Sequence, residues 1–422
     1  MKKKQTRNRI EGADMKQIDG GLCAPRGFRA GGVWSGIRKK NDKRDLALIV
    51  SDRVCTAAGM YTTNKVKAAS VLVSREHLAS GRCQAIICNS GNANACTGEA
   101  GLDGARRMAR FTADALGIEP SLVAVGSTGV IGVPLPVEKV EAAMPELLSS
   151  LSADYRGHSA ALEAIMTTDT RKKEIALEFE LDGKSVRIGA VAKGAGMIHP
   201  NMATMLSFIT TDAAIAPALL DSALRLAVSR SFNRVTVDGD TSTNDTVLIL
   251  ANGMADNAPI ERDDAKFLLF SAVLQEVCTT LARAIARDGE GASRLVTCTV
   301  GGARDEKTAE ILAKAVVGSS LVKAACFGAD ANWGRILCAM GYSGADFEPD
   351  TVSVRFKSRA GEILVCKAGA SIPFSEDLAK EILTQEEIEI LIDLADSGTA
   401  SATCWGCDLT YDYVKINGDY RS

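Results

Sequence analysis

Histidine is scarce in this sequence, which contains only three in 422 residues: His77, His158 and His199. A histidine-rich zinc site and a serine–histidine–aspartate triad both need histidine, and no G-x-S-x-G motif is present to carry a serine nucleophile. A Walker A loop and a G-x-G-x-x-G fingerprint after a strand are also missing. The usual signatures of zinc hydrolases, triad hydrolases and nucleotide-dependent enzymes are therefore absent.

A strong charge of either sign is also lacking, since 49 Lys and Arg against 52 Asp and Glu leave a formal net charge of −3. Nucleic-acid-binding proteins usually carry a basic field, so we expect no nucleic-acid partner. Residues 1–20 lack the apolar core of a secretory signal, and we find no apolar run long enough to span a membrane. We therefore expect no membrane partner, a cytoplasmic location, and a disordered extension over residues 1–20.

Cysteine, in contrast, is plentiful, with twelve residues scattered mostly through apolar stretches. Without a secretory signal, these cysteines are best interpreted as buried, reduced thiols. Cys404 and Cys407 have the CxxC spacing of a redox or zinc site, but there is no second CxxC and no histidine near them in sequence. We interpret this pair as incidental and predict no metal site.

The periodicity of apolar residues predicts short strands alternating with amphipathic helices. A hairpin is predicted through Asp182 and Gly183, a favoured tight-turn pair. The predicted strands are 46–50, 85–88, 174–181, 185–191, 205–210, 234–237, 246–251 and 409–416. The predicted helices are 218–228, 267–285, 308–316, 377–383 and 386–394. This pattern predicts a mixed α+β fold of layered sheets with covering helices, in a chain long enough for more than one domain.

The most conspicuous segment is 193–206, with the sequence KGAGMIHPNMATML. Glycine permits a tight turn or a close approach, and a predicted strand follows, so Thr204 is placed where a glycine-rich loop meets a rigid element. A threonine can use its own α-amine as a base only if it is an N-terminus, which requires cleavage of the bond between Ala203 and Thr204. From chemistry alone, Thr204 could equally be an ordinary first residue of a strand.

This segment, together with Thr211 and Asp212, closely resembles the self-cleavage region of the ornithine acetyltransferases, also called glutamate N-acetyltransferases. Further stretches resemble the same family, in order from about residue 21 to the end of the chain. They are CNSGNANA at 88–95, GSTGVIG at 126–132, MTTDT at 166–170, VDGDTSTND at 237–245, DGEGA at 288–292, GADANWGR at 328–335 and WGCDLTYDYVKIN at 405–417.

The resemblance implies a fold similar to the N-terminal-nucleophile hydrolases over residues 21–290 and a smaller α+β domain over 291–422. It also implies a precursor that splits into chains 1–203 and 204–422, which form an α2β2 assembly. The implied reaction is a ping-pong acetyl transfer from N-acetylornithine to glutamate without a cofactor. Acetyl-CoA is an open question as a second donor.

The resemblance also implies roles for individual residues. Thr204 is the nucleophile, and Thr128 with Gly129 forms the oxyanion hole. Substrate contacts are implied for Thr167, Lys193, Thr204, Glu290, Asn417 and Ser422. Thr168 and Thr170 remain alternatives to Thr167, and Ser422 stands where the family usually has threonine. Three acidic residues, Asp238, Asp240 and Asp245, could suggest a cation site, but the resemblance makes them structural.

Two other classes of protein remain open at this point. A self-processing amidase or aminopeptidase on a related scaffold would also need a freed Thr204, but water would resolve its acyl-enzyme. An unprocessed binding protein would never split. The segment 193–204 together with the C-terminal residues from Asn417 to Ser422 favours the acetyltransferase.

Overall fold

A computed structural model describes residues 7–10, 13–39, 43–199, 205–395 and 398–419, with side chains from residue 15 onward. The chain divides into two compact units. The first unit comprises Met1–Gly194, Pro200–Asn233 and Thr241–Leu281, and the second comprises Ala195–His199, Arg234–Asp240 and Ala282–Ser422. Neither unit is therefore continuous in sequence. The expected domain boundary after residue 290 stays a prediction.

The described part of the first unit contains ten strands and five helices, and a sixth helix begins in it. The strands are β1 (Arg7–Ile10), β2 (Ala13–Gln17), β3 (Phe28–Val33), β4 (Leu46–Tyr61), β5 (Arg82–Asn89), β6 (Val123–Ser127), β7 (Lys173–Leu181), β8 (Lys184–Lys193), β9 (Leu206–Thr211) and β10 (Thr246–Ala251). The helices are α1 (Ala69–His77), α2 (Gly98–Leu116), α3 (Val137–Ser149), α4 (Tyr155–Ile165), α5 (Pro217–Ser229) and α6 (Ala265–Arg287).

The ten strands form one mixed sheet in the order β1-β2-β7-β8-β9-β10-β4-β5-β6, with β3 paired to β4. The pairs β9–β10 and β5–β6 are parallel, while β8–β9 is antiparallel. In this register Lys193 lies opposite Leu206, and Leu206 lies opposite Thr246. The end of β8 that carries Lys193 is therefore beside the start of β9.

Helices cover both faces of this sheet because its central strands are buried on both sides. In β4, Leu46 and Leu48 pack with residues of α1, α2 and α3, whereas Ala47 and Ile49 pack with residues of α4. Successive side chains of a strand point to opposite faces, so a continuous apolar run serves two cores. The predicted class, layered sheets with covering helices, is confirmed.

The N-terminal residues differ from the expectation that 1–20 form a disordered extension. Strand β2 pairs with β7, with Lys16 opposite Glu178 and Gln17 opposite Leu177. Met15 is buried in the core. The polar composition of this segment hid the strand, because β2 is held mainly by its backbone, which pairs with β1 and β7, and Met15 is the one buried residue among its described side chains.

The described part of the second unit is a smaller α+β structure. Its strands are β11 (Leu295–Ala303), β12 (Ser353–Ser358), β13 (Gly361–Lys367), β14 (Ala370–Ser371), β15 (Glu387–Asp393) and β16 (Ala400–Cys407), and its helices are α7 (Glu306–Gly318), α8 (Ser320–Gly328), α9 (Trp333–Gly341), α10 (Glu376–Leu383) and α11 (Tyr411–Gly418). The sheet order is β14-β13-β12-β15-β11-β16. A single apolar core lies between this sheet and α7 to α10.

Two segments adopt the opposite secondary structure to the one predicted. Residues 386–394, predicted as a helix, form β15, in which Ile388, Ile390 and Ile392 are buried at alternate positions. Glutamate favours helices, but isoleucines at every second position place all their side chains on one face of a strand, and this pattern prevails. Residues 409–416 were predicted as a strand, but Tyr411–Gly418 form helix α11. None of the residues of α11 is buried, whereas tyrosine favours a strand chiefly where its side chain packs on the half-buried surface of a sheet.

The predicted strand 234–237 is also wrong. Only Val235 forms an isolated bridge, with Trp405. The Thr236 N–H donates to the Trp405 carbonyl at 2.9 Å, whereas the Val237 N–H donates to the Ile198 carbonyl at 2.6 Å. The backbone hydrogen bonds of this segment go to two different partners, so no continuous ladder forms.

Helix α6 modifies the expectation that no segment is long enough to cross a membrane. Its 23 residues have the length and the composition of a membrane span, and the bent pair α7–α8 reaches that composition only if it is counted as one span. Half of the apolar window of α6 is buried inside the protein. That burial is the pattern of a core helix.

Because residues 387–393 form a strand, substitutions at neighbouring positions of β15 should lower the free energy of unfolding by different amounts. Ile390→Ala should lower the free energy of unfolding by about 2–5 kcal/mol, because it leaves a cavity in the core of the second unit. Glu389→Ala, on the opposite and partly exposed face, should change it by less than about 0.5 kcal/mol. Denaturant unfolding of the two variants measures both values, and equal losses would contradict the strand.

Candidate active site

The carboxylate of Asp169 joins two residues that the sequence predicts as substrate contacts. Asp169 lies in the loop between α4 and β7, where its Oδ2 accepts a hydrogen bond from the Thr167 N–H at 3.0 Å. Its Oδ1 accepts from the Lys173 Nζ at 2.7 Å and from the Gly194 N–H at 2.8 Å. Thr167 and the end of β8 at Lys193 are therefore held to one buried group.

The charge of Asp169 is set by its neighbours. Burial alone would raise the pKa of this carboxyl, but the ammonium groups of Lys173 and Lys193 and the hydrogen bonds outweigh burial and bring the pKa to about 2. The side chains of Asp169 and Lys173 are 0% and 1% exposed. Asp169 is thus a fixed negative charge beside Lys193 at neutral pH.

The predicted oxyanion residues lie in a tight loop directly after β6. The Thr128 N–H donates to the Asn89 carbonyl at 3.0 Å. Gly129 has φ +133°, and a Cβ at this position would lie 2.4 Å from the Gly91 carbonyl carbon, so only glycine fits. Among the described residues, no hydrogen-bond partner is found for the Thr128 hydroxyl or for the Gly129 N–H. No described residue competes with an anionic oxygen for these two donors.

Buried asparagines hold this loop in place, and the sequence reasoning gave them no role. The Asn89 amide donates to the Asn92 carbonyl at 2.9 Å and accepts from the Ser127 hydroxyl at 2.7 Å. The Asn244 amide donates to the carbonyls of Ala93 at 2.6 Å and Ser127 at 2.8 Å. The signal in the sequence is a run of asparagines interleaved with small residues, whose amides can satisfy buried backbone groups.

Asp245 is a second buried aspartate, and its pKa is shifted in the opposite direction to that of Asp169. It is 2% exposed, and its Oδ2 accepts no hydrogen bond in the described structure. Burial raises the pKa of Asp245 well above its usual value, although Ser242, the Lys193 ammonium and the Met205 N–H favour the carboxylate. A carboxyl that favours its protonated form therefore faces Met205, the residue that follows Thr204 in the chain.

In the second unit, two predicted substrate residues are in direct contact. The Asn417 amide donates to Glu290 Oε2 at 2.9 Å, and the Glu290 N–H donates to the Ala195 carbonyl at 2.9 Å. A Cβ at Gly196 would lie 2.1 Å from Glu290 Oε2. Gly196 is therefore the residue that allows the Glu290 carboxylate to approach the glycine-rich segment.

Asp238 has a structural role in this unit. Its Oδ2 accepts from the Met197 N–H at 2.6 Å and its Oδ1 from the Ile198 N–H at 2.8 Å, while the Tyr413 hydroxyl donates to Oδ2 at 3.3 Å. These bonds anchor segment 195–199 to α11. Within the described ranges, no group of three or more His, Cys, Asp or Glu side chains could hold a metal ion.

The three histidines have separate local partners. Their ring nitrogens contact the Val123 carbonyl for His77, the Leu22 N–H and the Glu174 carboxylate for His158, and the Thr236 hydroxyl for His199. Burial, assisted by the Lys314 charge, lowers the pKa of His199 to about 4. The described contacts of the histidines therefore form no catalytic triad.

The CxxC pair lies along β16. Residues three apart in a strand point to opposite faces, and Cys404 packs in the core of the second unit while the Cys407 Sγ lies 3.3 Å from the Lys323 Nζ. Burial raises the pKa of Cys404 to about 12 and also raises that of Cys407. Both thiols are protonated, which disfavours thiolate chemistry.

The predicted site residues divide into three groups. In the first unit lie Thr128, Gly129, Thr167 and Lys193, and in the second lie Glu290 and Asn417. Outside the described residues lie Ala203, Thr204 and Ser422. Asp169, Asp245 and the asparagines around Thr128 are the neighbours that the sequence reasoning missed.

Removing the Asp169 charge should destabilise the protein. Asp169→Asn leaves the Lys173 ammonium buried without a counter-charge, so the free energy of unfolding at pH 7 should fall by about 3–5 kcal/mol. Because the folded pKa is lowered, this contribution is complete above the unfolded pKa of about 3.9 and is lost as the pH falls towards about 2. Denaturant unfolding from pH 7 to pH 2 measures it. Asp182→Asn, which breaks the exposed pair with Lys266, is the control and should cost less than about 1 kcal/mol.

Asp245→Asn should show the opposite pH dependence. The folded protein binds the Asp245 proton more tightly than the unfolded chain, so wild-type stability declines as the pH rises above the unfolded pKa of about 3.9. The variant lacks this loss, and its melting temperature relative to wild type should increase between pH 4 and pH 9. Parallel melting curves for the two proteins across this range would refute the charge state assigned to Asp245.

Comparison with known proteins gives consistent matches over nearly the whole chain. A model of the ArgJ family matches residues 29–422. The arginine biosynthesis bifunctional protein ArgJ of Caldanaerobacter subterraneus subsp. tengcongensis is 52% identical over 408 residues, covering 97% of this chain and 100% of that protein. The protein of the same name from Thermotoga neapolitana is 49% identical over 403 residues, covering 95% and 100%.

Two solved structures are also similar. The arginine biosynthesis bifunctional protein ArgJ of Bacillus halodurans is 45% identical, with a TM-score of 0.49 over 51% of this chain and 99% of that chain. The ornithine acetyltransferase of Mycobacterium tuberculosis, complexed with ornithine, is 40% identical, with a TM-score of 0.42 over 45% and 100%. The family predicted from the sequence motifs is confirmed by the family model and by the full-length relatives. The chain belongs to the ArgJ family of acetyltransferases in arginine biosynthesis.

Proposed function

We propose that this enzyme transfers an acetyl group from N-acetylornithine to glutamate through an acetyl ester on Thr204. The observation that carries the proposal is the loop at Thr128 and Gly129, where neither the hydroxyl nor the N–H has a hydrogen-bond partner among the described residues. Such donors stabilise the oxyanion of a tetrahedral acyl intermediate, and each typically contributes about 3–4 kcal/mol. The relatives are bifunctional proteins of arginine biosynthesis, which agrees with acyl transfer as the chemistry.

Self-cleavage prepares the nucleophile. The Thr204 hydroxyl attacks the Ala203 carbonyl carbon, the bond from that carbon to the Thr204 nitrogen breaks, and the hydroxyl proton is transferred to the nitrogen. Water then hydrolyses the resulting ester, which leaves a carboxylate on Ala203 and a free α-amine on Thr204. An α-amine has a pKa near 8, so a useful fraction is free base at neutral pH. The products are chains 1–203 and 204–422.

Acetyl transfer then proceeds in two half-reactions. The Thr204 hydroxyl, with its α-amine as base, attacks the acetyl carbonyl carbon of N-acetylornithine, and ornithine leaves with the proton. The amine of glutamate attacks the acetyl ester, so N-acetylglutamate leaves and the hydroxyl regains its proton. The same oxyanion donors serve both steps, because the two intermediates share one geometry.

The substrate contacts follow from charge. Lys193 provides a cation for the α-carboxylate, held at the end of β8 beside the Asp169 network. Glu290 provides an anion for the amine of ornithine, and Asn417 orients that carboxylate through its 2.9 Å hydrogen bond. Thr167 and Ser422 complete the proposed set.

Several wider features belong to the same proposal. The reaction needs no cofactor, since a hydroxyl, an amine and hydrogen-bond donors supply the chemistry. Acetyl-CoA is a second donor to glutamate, in keeping with the bifunctional relatives. The catalytic region has an N-terminal-nucleophile-like fold, the cleaved chains assemble as α2β2, and the enzyme acts in the cytoplasm.

Processing provides a direct test of the nucleophile. Intact-mass analysis of the purified wild-type protein should show two chains that meet at the bond between Ala203 and Thr204, whereas Thr204→Ala should remain one chain of 44.4 kDa. Thr210→Ala, in strand β9, is the control and should still be cleaved. A Thr204→Ala variant that splits at the same bond would falsify the assignment.

Substrate assays then separate the transferase from its main alternative. The processed enzyme, incubated with N-acetylornithine and glutamate, should release ornithine and N-acetylglutamate in equal amounts. Thr204→Ser, which keeps the hydroxyl, should retain measurable transfer. Release of acetate without N-acetylglutamate would instead indicate a hydrolase, in which water resolves the acyl-enzyme.

A further inference from the structure

Gly196, in the second unit, lies directly against the side chain of Glu290. A Cβ built at Gly196 would lie within 2.5 Å of all three atoms of the Glu290 carboxylate group. The φ angle of Gly196 is outside the left-handed region, so an alanine could adopt the same backbone conformation. The close approach of the Glu290 carboxylate, and not the backbone, therefore requires glycine at this position.

The backbone around Glu290 is fixed on both sides of that residue. The Glu290 N–H donates to the Ala195 carbonyl at 2.9 Å, and the Thr410 hydroxyl donates to the Gly291 carbonyl at 2.6 Å. A Cβ at Gly291 would lie 2.6 Å from the Tyr413 nitrogen, so this backbone also packs closely against α11. A methyl group added to the glycine-rich segment would therefore displace the Glu290 side chain and not its backbone.

Helix α11 holds two carboxylates with one of its faces. Tyr413 and Asn417 are four residues apart and so lie on the same face of the helix. The Asn417 amide donates to Glu290 Oε2 at 2.9 Å, and the Tyr413 hydroxyl donates to Asp238 Oδ2 at 3.3 Å. Glu290 contacts the start of segment 195–198 and Asp238 contacts its end. The helix therefore fixes the segment and the Glu290 carboxylate together.

Asp238 stabilises an uncommon backbone conformation in this segment. Met197 has φ +55°, in the left-handed region that residues other than glycine rarely occupy. The N–H groups of Met197 and Ile198 donate to the two oxygens of Asp238 at 2.6 and 2.8 Å, and the Ile198 carbonyl accepts from the Val237 N–H at 2.6 Å. Such a conformation persists only where the surrounding contacts over-determine it. These contacts also fix Gly196, the preceding residue.

We propose that Gly196 and Asp238 are positioning residues that set the Glu290 carboxylate for the side-chain amine of the substrate. Segment 195–198 limits where the carboxylate can lie, and Asn417 holds it there, so recognition of a terminal ammonium group depends on the missing Cβ. Glu290 is only 8% exposed, and an ion pair in such surroundings is screened little by salt. A carboxylate displaced from this position loses that ion pair. The inference rests on the proposed function, in which Glu290 binds the amine of ornithine.

Binding of two amino acids to the processed enzyme tests this role. Ornithine and norvaline share one carbon chain, but norvaline lacks the side-chain amine, and neither carries an acetyl group. In calorimetric titrations the wild type should bind ornithine at least about 10-fold more tightly than norvaline, because only ornithine pairs with Glu290. Gly196→Ala should weaken ornithine binding by about 10-fold and norvaline binding by less than about twofold. Gly341→Ala, at a glycine of α9 where an added Cβ meets no atom within 4 Å, is the matched control and should keep the wild-type ratio.

A double-mutant cycle tests whether Gly196 acts through Glu290. Glu290→Ala removes the carboxylate and leaves room for a methyl group, so adding Gly196→Ala to it should cause no further loss of ornithine affinity. Additive losses would show that the glycine acts elsewhere and would overturn the proposal. In transfer assays with saturating glutamate, Gly196→Ala alone should raise the KM for N-acetylornithine by about 10-fold and leave kcat within about twofold of wild type, since a binding contact is lost.

Tyr413→Phe provides a second variant in case Gly196→Ala is not folded or processed, which intact-mass analysis establishes first. It removes one hydrogen bond to Asp238 and should weaken ornithine binding by about threefold, with norvaline binding unchanged. An unchanged ratio of the two dissociation constants in the folded variants contradicts the positioning role. A wild type that binds ornithine and norvaline equally would refute the amine contact of Glu290 and the inference with it. A wild type without acetyl transfer that still prefers ornithine would instead refute the proposed function alone.

Discussion

The buried carboxylate of Asp169 is the interaction on which the first-unit half of the candidate site depends. It accepts hydrogen bonds from Lys173, from the Gly194 N–H and from the Thr167 N–H. Taking an aspartate and a lysine out of water is costly, and only close pairing and additional hydrogen bonds offset that cost. Because the additional donors come from the loop of Thr167 and from the end of β8, satisfying the charge also fixes the position of Lys193.

The two buried aspartates show how the surroundings of a carboxyl group decide whether its pKa is lowered or raised. Lys193 acts on both carboxyls, yet Asp169 is ionised and Asp245 favours its proton. The difference is Lys173, a second cation paired with Asp169, together with the hydrogen bond from Gly194, whereas Asp245 keeps one oxygen without a partner in the described structure. Hydrogen bonding has a similar effect on uncharged groups near Thr128. Buried asparagine amides donate to backbone carbonyls of this loop, and no described residue bonds the Thr128 hydroxyl.

Much of the fold could be predicted from local periodicity. The hairpin of β7 and β8, strand β10 and helix α6 match the predicted segments because each carries a clear period and a clear turn or end signal. Strand β15 and helix α11 were predicted with the opposite structure. In β15 the glutamates favour a helix, but adjacent strands pair with its backbone on both sides. In α11 the tyrosines favour a strand, but none of the residues of this helix is buried and no described strand pairs with it.

The sequence by itself determined the family, through motifs spread along nearly the whole chain, and the identity of the residues capable of the chemistry. Only the tertiary structure decided which of them meet: Thr167 with Gly194 through Asp169, and Glu290 with Asn417. It also decided the charge of each buried carboxyl. The physical reason is that contact, burial and pKa depend on groups far apart in sequence, and local patterns of residues do not record which distant segments pack together.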